Sequence, residues 1–166
     1  MLEINGWKIF FHSCFLEQLV ALVGTVQALK KSDPIGYKKK SHTKLLAAIN
    51  KVIKERIAVN PLDPIFHQGN TLGTSHKHWF RAKFLQQFRL FFRCSEKDKT
   101  IIIGWVNDFS TLRSYGSKND AYRVFASMLS TGIPPDDWET LSQEAKMTTK
   151  AFDPNLITGF LLKNND

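Results

Sequence analysis

Acidic residues are missing from one long stretch of this 166-residue chain: no aspartate or glutamate lies between Asp63 and Glu96. The stretch nevertheless holds Lys77, Arg81, Lys83, Arg89 and Arg93, so the usual surface lattice of alternating charge signs is excluded there. The countercharge is expected to come from outside the chain. Cysteine is also scarce. Cys14 and Cys94 stand far apart without a Cys-x-x-Cys spacing, which excludes a disulfide framework or a cysteine-built zinc site and fits a reducing cytoplasm. Long apolar runs are lacking. The longest, residues 15–29, is interrupted by Glu17, Gln18, Thr25 and Gln27 and is too short to span a bilayer. The N-terminus has no basic segment followed by an apolar one, so no signal peptide is read, and repeats and low-complexity tracts are absent. A cytoplasmic protein with no membrane partner is expected.

What is present fits one folded domain. The composition is 43% hydrophobic and 23% charged, with a net charge of +8, and the pI is about 9.6. That balance suits an anionic partner and says nothing of fold. WKIFFH, residues 7–12, is rich in strand formers. Leu16, Leu19, Val20, Val23 and Val26 then recur at helical steps, ending at Lys30 and Lys31. Asp33-Pro34 signals the start of a second helix whose apolar face is Leu45, Leu46, Ile49, Val52, Ile53 and Ile57. Asn60-Pro61 breaks it.

At His78 the period changes from 3.6 to 2. Phe80, Ala82 and Phe84 alternate with Trp79, Arg81 and Lys83; after a short LQQ turn, Phe88, Leu90, Phe92 and Cys94 alternate with Arg89, Phe91 and Arg93. An antiparallel hairpin with one greasy and one basic, aromatic face follows. TIIIGWV, residues 100–106, lacks alternation and reads as a third strand covered on both sides. A last helix starts near Asn119-Asp120 with Ala121, Val124, Phe125, Met128 and Leu129 inward, and Gly132 with Pro134-Pro135 stops it. The predicted fold is α+β, in the order β-α-α-β-β-β-α, with helices packed on one face of a small, mainly antiparallel sheet. Periodicity fades after Leu141, so residues 1–141 read as the domain and 142–166 as a loosely held extension.

Cations neutralise phosphates, and flat rings stack unpaired bases. A face carrying Trp79, Arg81, Lys83, Arg89, Phe91 and Arg93, with His78 and Lys77 beside it as further RNA-binding candidates, therefore suits single-stranded RNA. The runs FRAKF, FRLFFR, IIIGWVND and DAY, with KLLAAINKVI earlier, resemble the YhaV toxin family of bacterial toxin–antitoxin modules, within the RelE/ParE toxin superfamily. The likeness covers about residues 5–141. It implies a RelE-like curved sheet and a metal-independent, cofactor-free endoribonuclease that cleaves mRNA, inhibiting translation and growth. It also implies neutralisation by a PrlF-type antitoxin, a swapped-hairpin transcription factor, with operator DNA bound only through the toxin–antitoxin complex. By motif position, Arg81 and Lys83 match the superfamily's first-strand basic pair and Arg89 its second-strand arginine; Arg113 and Tyr115 in LRSYG are matched to its C-terminal Arg and Tyr. Arg81 stands where many relatives carry lysine. A guanidinium is a poor base, which leaves Lys83 as the base where crowding by cations and partial burial favour its neutral form, with His78 as the other option. The competing reading is a non-catalytic, antitoxin-binding co-repressor.

Other residues are weighed against plainer roles. His76, His78, His12, His42 and His67 invite a metal, but Lys77 intervenes and carboxylates are missing nearby, so no metal is expected. Asn107-Asp108 either holds Arg89 or Arg113 in place or forms a simple turn. Trp105 and Trp138 are expected to be packing residues.

Overall fold

A computed structural model describes residues 2–152. Its centre is a five-stranded sheet in the order β1-β2-β5-β4-β3. The strands are β1 (Leu2–Ile4), β2 (Trp7–Phe11), β3 (Phe80–Phe84), β4 (Phe88–Ser95) and β5 (Thr100–Val106). Strands β2 and β5 run parallel, and the other neighbours are antiparallel. The α+β class and the β3–β4–β5 meander are as expected, and every residue of β5 is buried. The sequence reading missed β1. It pairs with β2 across Asn5-Gly6, both left-handed at φ 52° and 82°, the backbone a tight two-residue hairpin turn demands.

Among the described residues, four α-helices surround the sheet: α1 (Ser13–Ser32), α2 (Ser41–Lys51), α3 (Ala121–Ser130) and α4 (Trp138–Ala151). The expected start of the second helix at Asp33-Pro34 is instead a turn. Asp33 caps the end of α1 and its carboxylate accepts the Gly36 N–H, a local bond that competes with helix. After α2 the chain continues in a π-helical turn, Val52–Ile57. Its Arg56 donates to the Lys83 carbonyl at 2.7 Å, satisfying part of the exposed edge of β3.

Period-2 alternation sends neighbouring residues to opposite faces. Ile9, Phe11, Leu90, Phe92, Ile101 and Ile103 pack with α1 and α2. The other face is covered as well: Phe91, Ile102 and Trp105 pack with Tyr122, Phe125 and Leu129 of α3 and with Leu141 and Ala145 of α4. Helix α4 thus crosses the boundary expected at Leu141. Asp137 caps it, Ser142 is buried, and Thr149 bonds to the β2 backbone, accepting from the Phe11 N–H at 2.9 Å. The remainder of the expected 142–166 extension, from residue 153 on, lies outside the described residues. Gly104 permits the second core to close, because a Cβ there would stand 2.7 Å from the Trp79 ring.

Candidate active site

Hairpin register decides which side chains meet. Arg81 pairs with Phe91 and Lys83 with Arg89, so all four share one sheet face, as the alternation predicts. That face is not an open platform. Trp79 and Phe91, expected to stack bases, are 0% exposed. Phe91 stacks on Phe125 with centroids 4.3 Å apart, and Trp79 meets Phe125 edge-on. Both are core residues. Alternation alone could not reveal this, because α3 and α4, which cover them, lie far along the chain.

Arg81 and Arg89 are 8% and 7% exposed, yet neither forms an ion pair among the described residues. Their acceptors are neutral. Arg81 Nε donates to the Tyr122 hydroxyl at 3.0 Å and its Nη1 to the Ile65 carbonyl at 2.8 Å. Arg89 Nε donates to the same hydroxyl at 3.1 Å, and its Nη1 reaches the Gln86 and Phe88 carbonyls, both at 2.9 Å. Two guanidinium charges held by one hydroxyl repel each other, a cost an arriving anion would offset. Neither Nη2 has a hydrogen-bond partner among the described residues. The one buried side-chain polar atom without a partner among those residues is Thr43 Oγ1, so both Nη2 atoms reach solvent. Lys83 is exposed, and the partial burial expected to favour its neutral form is not there.

Tyr122 is the residue that sequence reasoning missed. It opens α3, whose cap Asp120 accepts the Tyr122 N–H at 3.0 Å. Asp120 also binds Arg113 Nη1 at 2.6 Å, which sets the Arg113 guanidinium 4.8 Å from the Tyr122 ring and 3.7 Å from the Tyr115 ring. Burial alone would raise the Asp120 carboxyl, but the bonds from Arg113, Ser114 and Tyr122 outweigh it and hold it below its ordinary value. Burial likewise works to lower Arg113, and the Asp120 contact more than reverses it. Tyr115 itself is 88% exposed. Asn107 locks the arrangement: its side-chain carbonyl accepts the Arg89 N–H at 2.7 Å, and its amide donates to the Gln87 and Thr111 carbonyls. It therefore holds the backbone of Arg89, and the Arg113 N–H bonds to Gln87.

Arg93, His78 and Lys77 fall elsewhere. Arg93 donates to the Asp136 carbonyl at 2.6 Å and lies over the rings of Trp138 and Trp79, and burial pushes its guanidinium below the ordinary value. His78 is bound to the Asp136 carboxylate at 2.8 Å, and exposed Lys77 lies between it and His76. The countercharge absent from residues 64–95 thus comes, for this group, from within the chain. Arg81, Arg89 and Arg113 meet at Tyr122, Tyr115 packs on Arg113, and Lys83 lies on the same sheet face as Arg81 and Arg89.

Residues 9–146 match the model of a family, Toxin_YhaV, described as a toxin with endonuclease activity, of a toxin–antitoxin system. The chain belongs to the YhaV toxin family. It is 54% identical over 146 residues to Toxin YhaV of Escherichia coli O6:H1 strain CFT073, covering 87% of this chain and 95% of that protein. It is 53% identical over 148 residues to Ribonuclease toxin YhaV of Escherichia coli strain K12, covering 88% and 96%. No solved structure matches the chain. The family match spans the whole arginine cluster, from Arg81 to Tyr122, and the His76–His78–Asp136 group as well. Among the described residues no helix is long and apolar enough to cross a membrane.

Proposed function

We propose that this YhaV-family enzyme is a metal-independent endoribonuclease acting on mRNA in the cytoplasm, using the substrate's own 2′-hydroxyl as nucleophile. The observation that carries this reading is the pair of buried guanidinium groups, Arg81 and Arg89, held by one tyrosine hydroxyl and paired with no carboxylate among the described residues. Such a pair is built to receive an anion. A phosphodiester oxygen between the solvent-facing Nη2 atoms accepts bidentate, charge-assisted bonds, and these strengthen as charge builds on the phosphorane.

The step balances without a cofactor. A base takes the 2′-O–H proton, the O2′–P bond forms, the P–O5′ bond breaks, and O5′ receives a proton. The products are a 2′,3′-cyclic phosphate and a 5′-hydroxyl. Lys83, across the hairpin from Arg89 on the same sheet face, takes the 2′-hydroxyl proton. Arg113 and the exposed Tyr115 ring serve the leaving group or stack the next base. Tyr122 positions the two guanidinium groups. His78, bound to Asp136, is set aside as the base.

Growth inhibition follows from loss of translated message, and a PrlF-type antitoxin silences the enzyme by covering the Arg81–Arg89 surface. Operator DNA is contacted only within that complex. Hydrogen exchange of residues 80–95 should slow on complex formation; an unchanged rate there would place the antitoxin elsewhere. For the chemistry, an RNA with a single 2′-deoxy sugar at the scissile position, offered free and on ribosomes, should resist cutting there. Wild-type cleavage at that deoxy position would end the 2′-hydroxyl mechanism.

A further inference from the structure

We propose that His76, His78 and Asp136 form a binding site for a divalent transition metal of the zinc class, separate from the arginine cluster. The two histidines lie in and just after a 3-10 turn, Thr74–His76, on the approach to β3. Asp136 comes from the loop that leads into α4. His76 Nδ1 and His78 Nε2 stand 3.2 and 2.8 Å from the same Asp136 oxygen, and the three ligand atoms all lie within 4.8 Å of one another. Zinc holds imidazole nitrogens and carboxylate oxygens at about 2.0–2.2 Å, which puts tetrahedral ligand pairs about 3.3 Å apart. Both histidine–carboxylate separations, 3.2 and 2.8 Å, lie within about 0.5 Å of that spacing.

The hydrogen-bond pattern favours a cation over a plain acceptor. Asp136 Oδ1 faces three nitrogens, those of His76, His78 and Trp79, the last at 2.8 Å, whereas one carboxylate oxygen has two lone pairs. With metal bound, each imidazole presents a ring lone pair to the centre and carries its one N–H on the other ring nitrogen. The buried Trp79 N–H stays on the carboxylate as the outer partner that orients it. Arg93 fixes the same residue from behind, through the Asp136 carbonyl. Two imidazoles and one carboxylate form a nitrogen and oxygen set suited to Zn2+ and poor for Mg2+ or Ca2+. His78 and Asp136 are 37% and 35% exposed, so a fourth position is open to water and the ion has a way in. Occupancy would clip the lead-in to β3, the strand that carries Arg81, to the start of α4. Because Asp136 lies 58 and 60 residues from the two histidines, the absence of nearby carboxylates in the sequence hid the site.

The test is titration of the full-length, metal-free protein with Co2+ alone, then competition with Zn2+. One equivalent of Co2+ should give visible d–d bands typical of a four-coordinate nitrogen and oxygen site, and Zn2+ should abolish them. His78→Gln and Asp136→Asn should each weaken binding by about 100-fold or more, beyond the loss seen when an outer partner is removed. His42→Gln, at an exposed histidine on α2, should leave binding unchanged. Should a variant fail to fold, ring-proton NMR of the wild type decides: Zn2+ must shift His76 and His78 and spare His12, His42 and His67. Absence of saturable binding, shifts at other histidines, or equal affinity in folded variants would leave Asp136 as a hydrogen-bond acceptor only and overturn the proposal.

Discussion

Tyr122→Phe removes one oxygen and keeps the ring. The edge-on contact with Phe91 and the cation–π contact with Arg113 survive, so the change isolates the hydroxyl's hold on two arginines. A hydrogen bond to a charged group contributes about 1.5–3 kcal/mol. Water reaches the guanidinium tips, so the lower figure applies, and two bonds together give a loss of about 3 kcal/mol. At roughly 2–4 °C per kcal/mol for a chain of this size, Tm should fall by about 6–12 °C. Freed from their common acceptor, Arg81 and Arg89 no longer converge on one phosphate. Loss of that pre-set geometry is expected to lower kcat about 100-fold, or about 2.7 kcal/mol, with a smaller change in KM. Thermal unfolding and single-turnover cleavage of a defined RNA, both measured below the variant's Tm, supply the two numbers. A Tyr122→Phe variant with the wild-type Tm and kcat would refute the idea that this hydroxyl organises the site.

Further changes separate framework from chemistry. Asp120→Asn keeps a capping oxygen for α3 but drops the charge facing Arg113, and should cost about 1–2 kcal/mol at pH 7 by urea unfolding. Because the Asp120 carboxyl is held below its ordinary value, its stabilisation is complete above the unfolded value of about 3.9 and is lost as pH falls through the folded one. The variant's stability should therefore fall less than the wild type's on acidification from pH 5 to 3, and parallel curves would count against the ion pair. Gly104→Ala places a Cβ 2.7 Å from the Trp79 ring, and overpacking of this kind costs about 1–3 kcal/mol; an unchanged urea midpoint would contradict the packing of Trp79. Lys83→Ala removes an exposed side chain, so stability should stay within about 0.5 kcal/mol while cleavage falls at least about tenfold. Cleavage at the wild-type rate would remove Lys83 from the mechanism.

Local pattern made much of the fold legible. Period-2 alternation identified β3 and β4 and placed Arg81, Lys83 and Arg89 on one face, and the unbroken apolar run of β5 revealed a strand covered on both sides. Helix α1 was legible from its three- and four-residue steps, α3 from Asp120 and the apolar residues after it. What was hidden depends on distant contacts. Whether Trp79 and Phe91 meet water or core depends on Phe125 and Leu129, and no local rule supplies that pairing. Tyr122 sits in the first turn of α3 and reads as an ordinary helix residue. Its role exists because Asp120 and Arg113 bring the helix start against the hairpin. One signal was available and missed: Asn5-Gly6 is the dipeptide that most strongly marks a tight hairpin, and it announces β1.

The charge arrangement itself remains the claim to test. Purified protein should be incubated with single-stranded RNA in chelator, with and without ribosomes, and the new ends chemically mapped. Two arginines gathered on one phosphate with no metal predict 2′,3′-cyclic phosphate and 5′-hydroxyl ends. Ends bearing 3′-hydroxyl and 5′-phosphate would contradict it.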